Sequence, residues 1–210
     1  MNIMRETSKV NPEKWARYKY NLTDNIGENK TRITGCKEHI LLSKKIASEG
    51  MVLLENNGLL PLNKGTKVAL FGIGSLDYVK GGGGSGSVHS AYVRNLYEGF
   101  VSKEPQISIY KPVTEYYYNY ATENIANYQG DKLFEEIALP KQLVSDAAKN
   151  AEVAIITIHR FSGEFNDRSS QKGDFYLTDI EQKLVDDVTA VFKHSVAVLN
   201  VGGMIDVSWI

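Results

Sequence analysis

The run Val153-Ala154-Ile155-Ile156-Thr157-Ile158 decides the fold, and it is followed by His159 and then by Arg160-Phe161-Ser162-Gly163-Glu164-Phe165-Asn166-Asp167-Arg168. An apolar, β-branched run of this length between turn signals reads as a strand buried on both faces, the type found in parallel sheets. The segment after it is polar, contains glycine and is dense in charge. In open α/β sheets such a loop, at the carboxyl end of a parallel strand, is where ligands and catalytic groups collect. Glu164 is therefore the first candidate for chemistry.

Working outward, strand and helix alternate. On the N-terminal side, Lys67-Val68-Ala69-Leu70-Phe71-Gly72 reads as the first buried strand, entered through an Asn63-Lys64-Gly65 turn. Ala91 to Val101 reads as a helix and Ile107 to Tyr110 as a short second strand. The tyrosine-rich stretch Thr114 to Leu139 reads as partly helical, and Gln142 to Lys149 as a helix leading into the Val153 strand. On the C-terminal side, Thr178 with Glu181 three residues later forms a capping box that starts a helix reaching about Phe192. Ser195 to Asn200 is the next strand. Further upstream, Ile40, Leu41, Ile46, Ala47, Met51 and Leu54 fall on one face of a helix that Asn57-Gly58 ends. Leu59-Leu60-Pro61-Leu62 then reads as an extended link, because the residue before proline is pushed out of the helical region.

The expected fold is therefore α/β: a three-layer sandwich with a mostly parallel sheet between helices, incomplete at the C-terminal end. Residues 1–36 lack a period and read as an N-terminal arm, and residues 37–210 as a partial sandwich domain. The chain stops soon after a strand with no helix to cover it, so either a missing part completes the sheet or another chain, such as a second copy, shields the exposed edge.

Composition narrows the function. The 210 residues hold 24 Lys and Arg against 25 Asp and Glu, which gives no field to attract nucleic acid or an anionic membrane. No stretch has the apolar length of a membrane span or a signal peptide. The lone Cys36 fits a reducing compartment, so a cytoplasmic protein is expected. His39, His89, His159 and His194 show no metal spacing, and the sequence calls for no cofactor. Gly72-Ile73-Gly74 begins like a dinucleotide fingerprint, but Asp77 holds the third glycine position, where a carboxylate would face a pyrophosphate. Lys80 and the run Gly82-Gly83-Gly84-Ser85-Gly86-Ser87 match no phosphate loop; they read either as a surface loop or as a loop packed close to a ligand. His159 reads as a packed core histidine rather than a base.

For Glu164 two readings stand side by side. Ser162-Gly163 lets the loop turn, Asp167-Arg168 can form a bidentate ion pair that fixes it, and a partly desolvated carboxylic acid there would serve as a general acid. Alternatively Glu164 joins a salt-bridge network with Arg160 and Arg168 and is structural.

A resemblance covers residues 37–210. Glu49 to Leu62, Val68 to Gly72, Gly82 to Val88, the Ser162-Gly163-Glu164 loop with Asp167-Arg168, and Val198 to Gly202 resemble, in order, the second domain of glycoside hydrolase family 3. The resemblance implies an α/β sandwich that packs against a (β/α)8 barrel in β-glucosidases. It implies retaining, exo-acting hydrolysis of terminal non-reducing β-linked sugars, with Glu164 as general acid/base and the nucleophilic aspartate on the barrel. Ser162, Gly163, Asp167 and Arg168 would support the loop. Lys80, Gly82, Gly83, Gly84, Ser85, Gly86 and Ser87 would lie near the sugar. Phe165 replaces the family's glycine after the glutamate, and Met204 stands where proline is frequent. About 36 residues precede the resemblance, against the roughly 250 a barrel takes. The chain is thus expected to be a fragment of a reversed-order member, inactive without its barrel, with a β-linked glucoside or oligosaccharide as substrate of the whole. The alternative is a non-catalytic carbohydrate-binding or interaction module.

Overall fold

The computed structural model describes residues 36–81, 83–86, 92–128, 132–163 and 168–210. Four strands form one parallel sheet in the order β2-β1-β3-β4. They are β1 (Lys67–Phe71), β2 (Ser108–Ile109), β3 (Val153–Arg160) and β4 (His194–Val201). Every neighbouring pair runs parallel: Val68 pairs with both Ile109 and Val153, and the β3–β4 ladder runs from Val153–His194 to Arg160–Val201.

The alternation of the strands sorts the core onto two faces. Ala69, Phe71, Ala154, Ile156 and Ile158 face one layer, built from α3 (Lys111–Asn124), α4 (Lys141–Asn150) and α5 (Asp179–Thr189). Val68, Leu70, Val153 and Ile155 face the other, covered by α2 (Leu96–Val101) and by Leu59 and Leu62 of the link. All of β3 is buried, whereas β4 on the edge of the sheet is half-buried from Ser195 onward. The three-layer α/β sandwich expected from the sequence is the observed fold.

Local boundaries differ where a cap overrides a periodic pattern. The helix expected from Ala91 begins only at Leu96, because the Asn95 side chain accepts the Glu98 N–H and Glu98 accepts the Asn95 N–H in a capping box. Ala91 itself lies outside the described residues. The tyrosine-rich segment divides into α3, a 3-10 turn at Ile125–Asn127 and an irregular stretch after it. The expected Thr178–Glu181 capping box is present.

The upstream helix departs most from expectation. Helix α1 (Lys37–Glu49) ends at Gly50, so Met51 and Leu54 lie beyond it rather than on its face. None of its residues is buried. Leu41, Leu42, Ile46 and the extended Met51 to Leu54 are exposed, Leu54 by 92%.

Candidate functional site

The loops after β1, β3 and β4 meet at the carboxyl edge of the sheet. The last residue of β3 is Arg160, whose guanidinium points to the start of α5. Its Nη1 and Nη2 donate to Glu181 Oε1 and Oε2 at 2.6 and 2.8 Å, and Nε donates to the Asp174 carbonyl at 3.0 Å. Both side chains are 6% exposed. Burial pushes the Glu181 carboxyl up, but the Arg160 hydrogen bonds and charge, with the Thr178 N–H, outweigh burial and hold it below the usual carboxylate value. Arg160 thereby ties β3 to the segment running into α5.

Arg168 fixes the loop that leaves β3. Its Nη2 donates to the Phe161 carbonyl at 2.9 Å and to Ser162 Oγ at 2.7 Å, while Nη1 pairs with Asp174. Asp174 also accepts the Ser169 N–H at 2.6 Å and the Ser169 hydroxyl at 2.8 Å. The Ser169 N–H, the Arg168 guanidinium and the Ser169 hydroxyl lower the Asp174 carboxyl to about 2. Ser162 and Arg168 are thus brought together. Glu164 and Asp167 lie outside the described residues, and among the described residues the carboxylate on Arg168 is Asp174. Sequence reading missed Asp174 because its partner lies across a turn at Gly173, which has φ +83°, and no periodic signal spans such a turn.

The loop after β1 is pressed onto the same edge. Gly72 has φ +87°, and a methyl group on it would lie 2.2 Å from the Thr157 carbonyl oxygen; one on Gly74 would lie 3.0 Å from His159 Cβ. The Gly72-Ile73-Gly74 motif therefore serves close packing of β1 on β3. Further along, Val79 N–H donates to Asn200 Oδ1 at 2.5 Å, and Asn200 Nδ2 donates back to the Val79 carbonyl at 3.3 Å. This places half-buried Lys80 beside the end of β4. Gly84–Gly86, with Ser85 between them, forms a 3-10 turn. A methyl on Gly163 would lie 2.7 Å from Gly83 N, so the two loops touch through glycine backbone. Gly82 and Ser87 fall outside the described residues.

Behind this edge lies a cavity of about 560 Å³ whose lining includes Glu136, His159, Phe161, Arg168, Asp174 and Ile180. Glu136 accepts the Ile73 N–H at 2.8 Å and the Tyr117 hydroxyl at 2.9 Å, and the same hydroxyl accepts the Gly72 N–H at 3.0 Å. Burial raises the Glu136 carboxyl to about 7 against the pull of its three donors, Ile73, Ile137 and Tyr117, and the Glu181 charge adds to the rise. Tyr117 is raised well above its ordinary value, first by burial and then by Glu136. Neither residue stands out in the sequence, because an irregular segment supplies the carboxylate. Among the described residues no group of His, Cys, Asp or Glu is placed to hold a metal ion.

The sheet is parallel and packed on both faces, and the loops at its carboxyl edge set the Ser-Gly turn against the glycine run. The chain belongs to glycoside hydrolase family 3: residues 51–210 match the model of the glycosyl hydrolase family 3 C-terminal domain. It is 44% identical to β-glucosidase A of Butyrivibrio fibrisolvens over 94% of its length, and 36% identical to a β-glucosidase of Ruminococcus albus over 82%. It spans 26% and 19% of those relatives. The crystal structure of a β-glucosidase from Paenibacillus barengoltzii superposes with a TM-score of 0.76 at 31% identity, covering 83% of this chain and 20% of that one. Glucose-bound β-glucosidase 3B from Thermotoga neapolitana gives 0.76 at 31%, covering 86% of this chain and 26% of that one.

Proposed function

We propose that this domain supplies the general acid/base half of a retaining, exo-acting β-glucosidase, with Glu164 as the proton-transferring residue. Glu164 protonates the leaving glycosidic oxygen while an aspartate from the barrel domain of the same enzyme attacks the anomeric carbon. It then takes a proton from the water that releases the sugar. The substrate is a β-linked glucoside or short oligosaccharide, read from its non-reducing end. The loop of Lys80, Gly82, Gly83, Gly84, Ser85, Gly86 and Ser87 lies beside that sugar, and Ser162, Gly163, Asp167 and Arg168 hold the acid/base loop in place.

The observation that carries this reading is the contact of Gly163 with Gly83. It joins the two loops that the family motifs single out, at the edge where α/β sheets bind ligands. The structural alternative for Glu164 loses force because Arg160 is engaged by Glu181 and Arg168 by Asp174. The exposed apolar surface of α1 and Met51 to Leu54 gives the barrel domain a place to rest.

The test compares leaving groups in the full enzyme. Glu164→Ala should slow hydrolysis of alkyl β-glucosides, whose leaving oxygen needs a proton, at least about 100-fold more than that of activated aryl β-glucosides. Equal losses on both would remove Glu164 from the acid/base role.

A further inference from the structure

We propose that His159 is a doubly protonated, positively charged clasp that fixes the loop after β1 against the segment at Phe134, and so acts as a positioning residue for the candidate site. The ring bridges two acceptors. Nδ1 lies 2.7 Å from the Asp77 carbonyl oxygen and Nε2 lies 3.1 Å from the Phe134 carbonyl oxygen. A neutral imidazole has one N–H and one lone pair, so one of these contacts would set a lone pair against a carbonyl oxygen. The imidazolium donates to both.

The surroundings favour the charge. The same two residues are tied a second time, because the Phe134 N–H donates to Asp77 Oδ2 at 2.7 Å. Asp77 is fully buried and His159 is 6% exposed, and the Asp77 carboxylate and the ring both engage the Phe134 backbone, so a charge of opposite sign on the ring is favoured. Among the described residues, the ionisable groups around the ring and its cavity are Asp77 from the loop after β1, Glu135 and Glu136 from the segment after α3, Arg160 on β3, Arg168 and Asp174 beyond β3, and Glu181 on α5. Arg160 pairs with Glu181 and Arg168 with Asp174. Outside these two pairs, the described groups are all carboxyls: Asp77, Glu135 and Glu136.

The clasp sits between the elements that build the site. His159 immediately precedes Arg160 and the loop toward Glu164, Asp77 lies three positions before Lys80, and Gly74 packs directly on the ring. A folded state that holds this proton more tightly than the unfolded chain gains full stabilisation below the unfolded value of about 6.5. It loses that stabilisation as pH rises through the higher folded midpoint. The link to catalysis rests on the reading of Glu164 above; the charge state does not.

The experiment is an NMR titration of the isotope-labelled 210-residue chain, following the His159 ring nitrogens and the amides of Gly83 and Gly163. We expect both ring nitrogens protonated at pH 7, a midpoint above about 7.5, one unit over the ordinary value, and movement of both amides at that same midpoint. Asp77→Asn should lower the midpoint by at least about one unit. A single neutral tautomer at pH 7, or a midpoint at or below about 6.5, overturns the charged clasp, and this wild-type result stands even if Asp77→Asn does not fold. Amides of Gly83 and Gly163 that ignore the His159 midpoint overturn the positioning role. Loss of the Glu164 assignment alters neither result.

Discussion

Replacing Glu181 with Leu should be among the most damaging single changes in the domain. The substitution leaves the Arg160 guanidinium, which makes two charge-assisted bonds of 2.6 and 2.8 Å and is 6% exposed, without its carboxylate. Breaking a buried pair by removing one partner costs about 3–5 kcal/mol. At roughly 2–4 °C per kcal/mol for a domain of this size, the melting midpoint should fall by roughly 6–20 °C. Arg160→Met should cost a similar amount, since it also strips a donor from the Asp174 and His159 carbonyls. The double variant Arg160→Met/Glu181→Leu should be more stable than the sum of the singles requires, with a coupling of about 1–3 kcal/mol. Urea unfolding of the four proteins, followed by circular dichroism at pH 7, measures the cycle. The Glu181 carboxyl is held below its ordinary value, so the pair stabilises above the unfolded value of about 4.3 and loses its effect as pH falls through the folded one. Singles that add within about 0.5 kcal/mol would refute the claim that the pair acts as a unit.

Gly72→Ala should destabilise by about 2–4 kcal/mol, combining a left-handed backbone with a methyl 2.2 Å from the Thr157 oxygen; an unchanged urea midpoint would contradict the packing reading. Asp174→Asn should flatten the acid limb of stability, because Asp174 at about 2 contributes above its unfolded value of about 3.9 and ceases to as pH falls through 2. A wild-type acid limb in that variant counts against Asp174 as the anchor of Arg168. Asn200→Ala removes both bonds to Val79 and should cost about 1–2 kcal/mol, with faster amide exchange at Val79 as the specific sign. Exchange unchanged at that amide would show that β4 does not hold the loop.

The layers of the fold were legible because the signals were local. β3 announced itself as a continuous apolar run, and α5 through a cap and its partner three residues apart. The helix start at Leu96 was not, since the reciprocal bonds of Asn95 and Glu98 set it in place of the periodic pattern. At the site, Gly83, Ser162, Gly163 and Arg168 could be named from motifs. Asp174 could not, because a turn at Gly173 separates it from Arg168, and Asn200, Glu136 and the bridging geometry of His159 could not, because each acts on a segment distant in sequence. Val79 and Asn200 stand 121 positions apart, and only the sheet brings them together.

The order β2-β1-β3-β4 also dictates when the domain can form. At the base of the central pair, Lys67 N–H donates to Glu152, 85 positions later in the chain. During synthesis at 5–20 residues per second, β1 therefore waits on the order of 10 s for β3. Throughout that interval Val68, Ala69, Leu70 and Phe71, all fully enclosed at the end, have no inner neighbour. Long-range parallel pairing is slow and aggregation-exposed, so yield in cells should depend more on translation speed and holdase supply than on final stability.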